Sequence, residues 1–212
     1  MILKIQFYYY LQNDEAKMLK IITSSILLVF SSAALANDYS NITVQVLGYD
    51  SKTKNLLVAE NSTSYSVPKV YRYSLNEKHY DLPKYDERFT AIKDPGIFNQ
   101  TLAKIQTQLK PLKTLDVDDF KLNLLEQNAS ASQDSAPLSS VYSSVFTVQN
   151  TQNQSKAMNL TSYSPNIKLK QAFELPKNKG ALITFESLSL PFDEGYTREE
   201  AVILFPNDQL PK

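Results

Sequence analysis

The sequence predicts a mainly β fold, in which short antiparallel strands form a sandwich or an open barrel with one amphipathic helix packed on it. Several short segments of β-type pattern are separated by polar turns, and only one segment has helical periodicity over several turns. An α+β fold is the alternative. Only 4 of the 212 residues are glycine, so asparagine, aspartate, serine and lysine must form many of the turns.

Three strands are predicted ahead of residue 76. Residues 41–48 read NITVQVLG and mostly alternate apolar with polar side chains, which is typical of a half-buried strand. Residues 56–60 resume this pattern after a polar turn, so residues 41–60 are predicted to form a β-hairpin. Residues 67–75 predict a third strand, with Pro68 at its start, where a missing N–H is tolerated. We therefore expect a three-stranded meander.

One helix is predicted over residues 99–112. Asn99 can cap its first turn, and Pro111 limits its last turn. Its apolar side chains fall on one face at helical spacing, namely Leu102, Ile105, Leu109 and Leu112. Because such a short helix is stabilised by packing rather than by propensity, we expect it to lie on one face of the sheet.

The second half of the chain predicts further strands. Residues 120–126 predict a strand, and residues 127–140, which are low in bulky apolar groups, predict an exposed loop. Residues 141–163 predict a second hairpin around a polar turn. Strands are also expected at residues 168–175, 181–190 and 200–205, with a turn at 191–198 centred on Gly195. The last of these strands, EAVILF, is apolar enough to be buried on both faces.

Residues 18–36, MLKIITSSILLVFSSAALA, have the pattern of a cleavable secretory signal peptide. A basic start at Lys20 precedes an apolar run, and the segment closes on Ala34 and Ala36, which form the A-x-A motif before a cleavage site. The mature protein would begin at Asn37 and would be periplasmic or secreted. This site and the absence of cysteine together favour a bacterial export substrate.

The signal peptide divides the chain into three parts. Residues 1–17 fit no part of a signal peptide and are interpreted as a doubtful upstream extension, with Met18 as the start of translation. Residues 37–212 are predicted to form a single mature β-rich domain, since this length suits one hydrophobic core.

Composition excludes several classes of function. Of the 22 basic and 22 acidic residues, removal of the first 36 residues leaves 19 basic against 20 acidic, so nothing indicates a nucleic-acid partner. The absence of cysteine excludes disulfides, a thiolate nucleophile and a cysteine-ligated metal. No later segment approaches 18 consecutive apolar residues, so no stable membrane insertion is expected after cleavage, and the mature protein is predicted to be soluble.

Tyrosine is the most distinctive feature of the composition. Five tyrosines fall within residues 65–85, with lysine and arginine interleaved. Tyrosine is favoured at binding surfaces, so this segment predicts a site for an unknown envelope protein or a glycan. The residues assigned to it are Tyr71, Tyr73, His79, Tyr80 and Tyr85. The alternative is that the tyrosines fill a sheet face, because tyrosine also favours strands.

An envelope hydrolase that uses paired carboxylates is the alternative function. Two acidic pairs, at residues 193–194 and 199–200, flank Gly195. A third acidic group, at residues 116–119, lacks the glycine and terminal glutamate of an EF-hand loop. The only histidine is His79, and neither a G-x-S-x-G motif nor a glycine-rich phosphate loop is present. The sequence therefore predicts no catalytic residue, no metal ligand and no cofactor.

Overall fold

The computed structural model describes residues 41–75, 83–131, 140–190 and 195–209. Over half of these residues lie in strands, and they include one α-helix, so the predicted mainly β fold with one helix is confirmed. The predicted signal peptide with Ala34 and Ala36, the upstream extension, and the candidate residues His79 and Tyr80 lie outside the described residues. In the part of the chain that is described, no helix is both long and apolar enough to cross a membrane.

Thirteen strands and one helix, α1 (Pro95–Gln106), make up the described fold. The strands are β1 (Ile42–Asp50), β2 (Asn55–Ser62), β3 (Lys69–Ser74), β4 (Lys84–Tyr85), β5 (Leu109–Lys110), β6 (Lys113–Leu115), β7 (Lys121–Ala131), β8 (Ser140–Gln149), β9 (Asn153–Gln154), β10 (Met158–Ser162), β11 (Lys168–Glu174), β12 (Ala181–Leu190) and β13 (Tyr196–Pro206).

The strands form two sheets that meet at β13. The first sheet has the order β6-β11-β12-β13-β1-β2-β3-β4, and the second consists of β7, β8 and β10. Short strand β9 pairs with both β8 and the end of β13, which joins the two sheets. Pairing is antiparallel except between β1 and β13, which are parallel through the single pair Ile42 and Arg198. The sheet is therefore mixed, where the sequence predicted antiparallel pairing throughout.

Strands β12 and β13 are buried on both faces, because successive side chains of a strand point to opposite sides. Leu182 and Ile203 pack with residues of β1 and β2, including Val58, on one side. Ile183 and Leu204 pack with residues of the second sheet on the other side. The apolar run of residues 200–205 is thus a strand between two cores, as its sequence predicted.

A third core lies beneath helix α1. Leu57 and Val70 point away from the first core and pack against Phe98 and Ile105 of the helix. Phe98 is 2 % exposed and its ring lies 5.3 Å from that of Phe89. The helix packs on one face of the β1–β3 meander, as predicted, and the central strand β2 is thereby buried on both faces.

The helix begins and ends earlier than predicted. Asp94 caps it by accepting a hydrogen bond from the Ile97 N–H at 2.9 Å, and Pro95 occupies its first turn, so Asn99 is an interior residue. The helix ends at Gln106 because Leu109 and Lys110 form β5, which pairs with the end of β1. The apolar pattern of the sequence extends beyond the helix because Leu109, which lies in β5, packs on the same core as the helix.

Two predicted connections are partly strand. Residues 127–131 extend β7, where their backbone pairs with β8 as far as Ala131 and Ser140. Residues 196–198 belong to β13. Both segments are polar enough to resemble loops, but β7 pairs only with β8 among the described strands and leaves most of its side chains exposed. Residues 132–139 and 191–194, the remainder of these predicted connections, are outside the described part of the chain.

Candidate functional site

A cleft of about 510 Å³ opens where β13 and β1 separate. One wall comes from β1, β2 and β3, and the other comes from β13 and from the residues that lead into β10. Its lining is largely apolar with charged groups among the apolar side chains, and its volume suits a ligand site. Two predicted site residues, Tyr71 and Tyr73, line this cleft. We refer to it as the inter-sheet cleft.

Glu199 is a buried carboxylate in the lining of the inter-sheet cleft. This glutamate is 6 % exposed and accepts hydrogen bonds from the Val44 N–H at 2.9 Å and from the Thr184 hydroxyl at 2.5 Å. The pairing of β1 with β13 ends at Ile42 and Arg198, and the Glu199 carboxylate takes the place of a backbone partner for the Val44 N–H. Removal of this carboxylate would leave buried donors without a partner.

Tyr71 and Tyr85 form a stacked pair next to the cleft, which we call the tyrosine pair. Their strands β3 and β4 pair these two residues directly, and the ring centroids are 4.6 Å apart at an angle of 28°. The Tyr71 hydroxyl donates to the Tyr85 hydroxyl at 3.1 Å. Tyr85 is 46 % exposed, so one apolar surface of the pair faces solvent. Burial, together with the Tyr85 hydroxyl and the charge of Glu60, raises the pKa of Tyr71 well above its usual range.

Tyr73 has a different environment from the tyrosine pair. It packs against the core between β2 and β13, and its hydroxyl lies 3.5 Å from the Ala201 carbonyl, to which it donates. Burial raises the pKa of Tyr73, and the charges of Glu200 and Glu60 act in the same direction. Both tyrosines are therefore neutral hydroxyls at physiological pH. Tyr73 packs on the sheet face, in line with the alternative interpretation of the tyrosine segment, whereas the side chain of Tyr85 is exposed to solvent.

Glu60, which sequence analysis did not single out, lies at the same cleft. It accepts a hydrogen bond from the Tyr65 hydroxyl at 2.9 Å, and the Lys69 ammonium lies 3.7 Å from the centroid of the Tyr65 ring. Glu60 lies two residues after Val58 on β2, and Val58 pairs with Tyr71 on β3, so the three side chains lie on the same face of the sheet. The alternation of the two strands could therefore have indicated this position. The lining of the cleft thus contains the Glu60 carboxylate next to the rings of Tyr71 and Tyr73.

The described members of the acidic pairs are engaged in structural contacts. Glu199 is hydrogen-bonded as given above, and Glu200 forms an ion pair with Arg198 at 3.1 Å. Adjacent residues of a strand point to opposite faces, so residues 199 and 200 do not converge as a catalytic pair would. Asp116 accepts from the Asp118 N–H at 3.0 Å and caps a short turn. No group of three potential metal ligands is found among the described residues.

A second groove, of about 700 Å³, lies at the other end of β13 near the turn at residues 150–153. It contains the ion pair between Lys113 and Glu174 at 3.2 Å. The Asn150 side chain in its wall accepts from the N–H groups of Gln152 and Asn153, which is the bonding of a turn. This groove has a polar lining, and its Glu174 carboxylate is paired with Lys113.

Comparison of the chain with protein families, with curated proteins and with solved structures finds no match.

Proposed function

We propose that the protein is an exported binding domain of the bacterial envelope and that the inter-sheet cleft with its tyrosine pair contacts an envelope protein or a glycan. The observation that carries this proposal is the tyrosine pair, which places a rigid, partly exposed aromatic surface beside an apolar cleft. Tyrosine rings lose little conformational entropy on binding and offer both an apolar face and a hydroxyl. The signal-peptide pattern of residues 18–36 supports the envelope as the location.

The tyrosine pair supports binding rather than packing because of where each ring lies. Tyr85 belongs to the two-residue strand β4 at the edge of the first sheet, so little of the fold depends on its side chain. Its contact with Tyr71 fixes the orientation of both rings before a ligand arrives. Pre-organisation of this kind lowers the entropic cost of association.

Tyr85→Ala tests the proposal. We expect binding to purified peptidoglycan or to a partner captured from envelope extract to fall about tenfold or more, since buried aromatic anchors contribute on the order of 2 kcal/mol. The unfolding free energy should change by less than about 1 kcal/mol, because Tyr85 is half exposed.

Tyr142→Ala is the matched control, since Tyr142 lies on β8 of the second sheet and does not line the cleft. Equal binding by the two variants would contradict the proposal. A large loss of stability in Tyr85→Ala would assign this tyrosine to packing instead.

A further inference from the structure

Along the inter-sheet cleft, one edge of β13 has no strand partner among the described residues. On its other edge this strand pairs with β12 from Tyr196 to Leu204. On the cleft side it pairs with β1 at Arg198 and with β9 from Phe205, and no described strand pairs with residues 199–204 there. At about 3.3 Å per residue this open stretch is about 20 Å long.

The backbone groups of Ala201 and Ile203 point toward the open edge. Phe205 pairs with Gln154 of β9, and the Asn207 N–H donates to the Gln152 carbonyl at 2.9 Å. Backbone groups of alternate residues in a strand point to the same edge. The odd-numbered residues of this part of β13 therefore direct their backbone groups away from β12. The Tyr73 hydroxyl reaches the Ala201 carbonyl from the same side. The N–H groups of Ala201 and Ile203 and the Ile203 carbonyl therefore face this edge, and the Ala201 carbonyl accepts from Tyr73 there, so an added strand takes the place of the Tyr73 hydroxyl.

The inter-sheet cleft follows this edge. Residues 198–203 of β13 all line it, and consecutive residues of a strand can share a cleft only where the cleft runs along the strand edge. Val58 and Tyr73 line it from the side of the first core, whereas Met158 and Phe185 line it from the side of the second sheet. A chain lying in the cleft would have apolar surface on both of its faces.

We propose that the inter-sheet cleft binds an extended peptide segment with apolar side chains on both faces, which adds to the open edge of β13 as a further strand. This inference rests on the proposed function and selects a protein partner over a glycan. An extended peptide supplies both the backbone groups that match Ala201 and Ile203 and the alternating side chains that match the two walls. The tyrosine pair contacts the peptide beside this edge.

Strand β7 provides a comparison within the same molecule. It also pairs on one side only among the described strands, but its open edge lies outside the cleft and a bulge at Leu125 interrupts its register. Bulges are a known means of preventing strand addition. We therefore expect a peptide to choose β13 over β7.

Hydrogen exchange on the mature chain tests this choice directly. The probes are end-blocked hexapeptides of valine, leucine, phenylalanine and threonine in varied order. At nine-tenths occupancy we expect exchange at the Ala201 and Ile203 amides to slow about tenfold, with no change along β7. No slowing at millimolar peptide, or equal slowing along β7, would overturn the inference.

N-methylation of the peptide gives an independent readout that needs no protein variant. Alternate amides of a strand face opposite edges, so methylation of one alternate set should weaken binding at least tenfold while the other set stays within about twofold. Equal loss for both sets would show that the peptide does not bind as a strand, which overturns the inference.

Ala201→Pro removes the N–H on the open edge, and Leu125→Pro is its matched control in the bulge of β7. Only Ala201→Pro should abolish the peptide effect at Ile203. Where Ala201→Pro does not fold, the methylated peptides decide. Binding of peptidoglycan that depends on Tyr85 without protection of Ala201 would overturn strand addition and leave the proposed function standing.

Discussion

At the scale of single residues, Gly180 allows the β11–β12 connection to lie directly against the backbone of β13. Gly180 precedes β12 with a φ of +107°, and a Cβ atom added there would lie 1.8 Å from the Leu204 carbonyl oxygen. The Leu175 N–H also donates to the Gly180 carbonyl at 3.0 Å, which closes the connection between β11 and β12. Only glycine fits here, because both the backbone angle and the space exclude a side chain.

We predict that Gly180→Ala lowers the unfolding free energy by about 2 kcal/mol or more, since the strained φ and the displaced β13 backbone both contribute. Gly96→Ala, in the first turn of α1, has no positive φ, and its added Cβ would lie 3.1 Å from the Asp94 carboxylate, which is a side-chain end that can shift. It should therefore change the unfolding free energy by less than about 1 kcal/mol. Urea denaturation of the two variants measures the difference. Similar values for both would show that the β11–β12 connection adapts.

Asp86, directly after β4, is a buried carboxylate with 3 % exposure. Burial alone would raise its pKa, but hydrogen bonds from the Arg88 side chain at 2.7 and 2.8 Å and from the Arg88 N–H outweigh burial and lower the pKa. The pKa of Asp50 is lowered in the same way, as hydrogen bonds from Lys52 and Thr53 outweigh burial.

Because these pKa values are lower in the folded state, both aspartates stabilise the fold above the unfolded-state value of about 3.9, and this contribution is lost as pH falls through the folded values. We predict that the unfolding free energy is nearly constant from pH 7 to 5 and decreases below pH 4. Asp86→Asn should be less stable at pH 7 and show a shallower decrease. Urea denaturation across this range tests it, and an unchanged slope would contradict the assignment.

At the scale of elements, one capping residue and one core residue determine where helix α1 begins and how it packs on the sheet. Asp94 sets the first turn through the Ile97 N–H, and Phe98, one position further along, enters the core against Phe89. The cap fixes where the helix begins, and the buried ring fixes which face it presents to β2 and β3.

We predict that Asp94→Ala lowers the unfolding free energy by about 1 kcal/mol and that Phe98→Ala lowers it by about 3–5 kcal/mol. Ile97→Ala is the control from the same turn, since Ile97 is 57 % exposed, and should change it by less than about 0.5 kcal/mol. Thermal or urea unfolding ranks the three. A Phe98→Ala cost close to that of Ile97→Ala would mean that the helix does not need this core.

At the scale of the whole molecule, three cores are stacked through shared strands. Strand β2 separates the first and third cores, and strands β12 and β13 separate the first and second. No core can lose its packing without exposing one face of a strand that belongs to another. The described fold is therefore expected to unfold as one cooperative unit.

The prediction that belongs to the entire chain concerns its processing. We propose that residues 18–36 are a cleavable signal peptide, so the chain expressed in a bacterium should be recovered from the envelope fraction with Asn37 as its first residue, directly after the A-x-A pattern of Ala34 and Ala36. Intact-mass analysis checks this, and Ala36→Asp should leave the precursor uncleaved. A precursor mass that includes residues 1–17 would place the start at Met1 instead of Met18.

The sequence by itself determined the fold class, most of the longer strands and the presence of the one helix. Period-2 alternation over residues 41–48 and the apolar run at 200–205 report burial on one face or on two, and both are local properties of the side chains. Boundaries were less well determined. Leu109 continues the apolar spacing of the helix but lies in β5, because pairing with β1 outweighs helix propensity there.

Only the tertiary structure decided which residues meet. The parallel contact of β1 with β13, the cleft beside it and the buried hydrogen bonds of Glu199 join positions some 155 residues apart in the chain. Two residues of the tyrosine segment, Tyr71 and Tyr73, line this cleft, and Tyr85 stacks on Tyr71 beside it. The edge of β13 that no described strand pairs with left no signal in its side chains, because it consists of backbone groups that every non-proline residue carries.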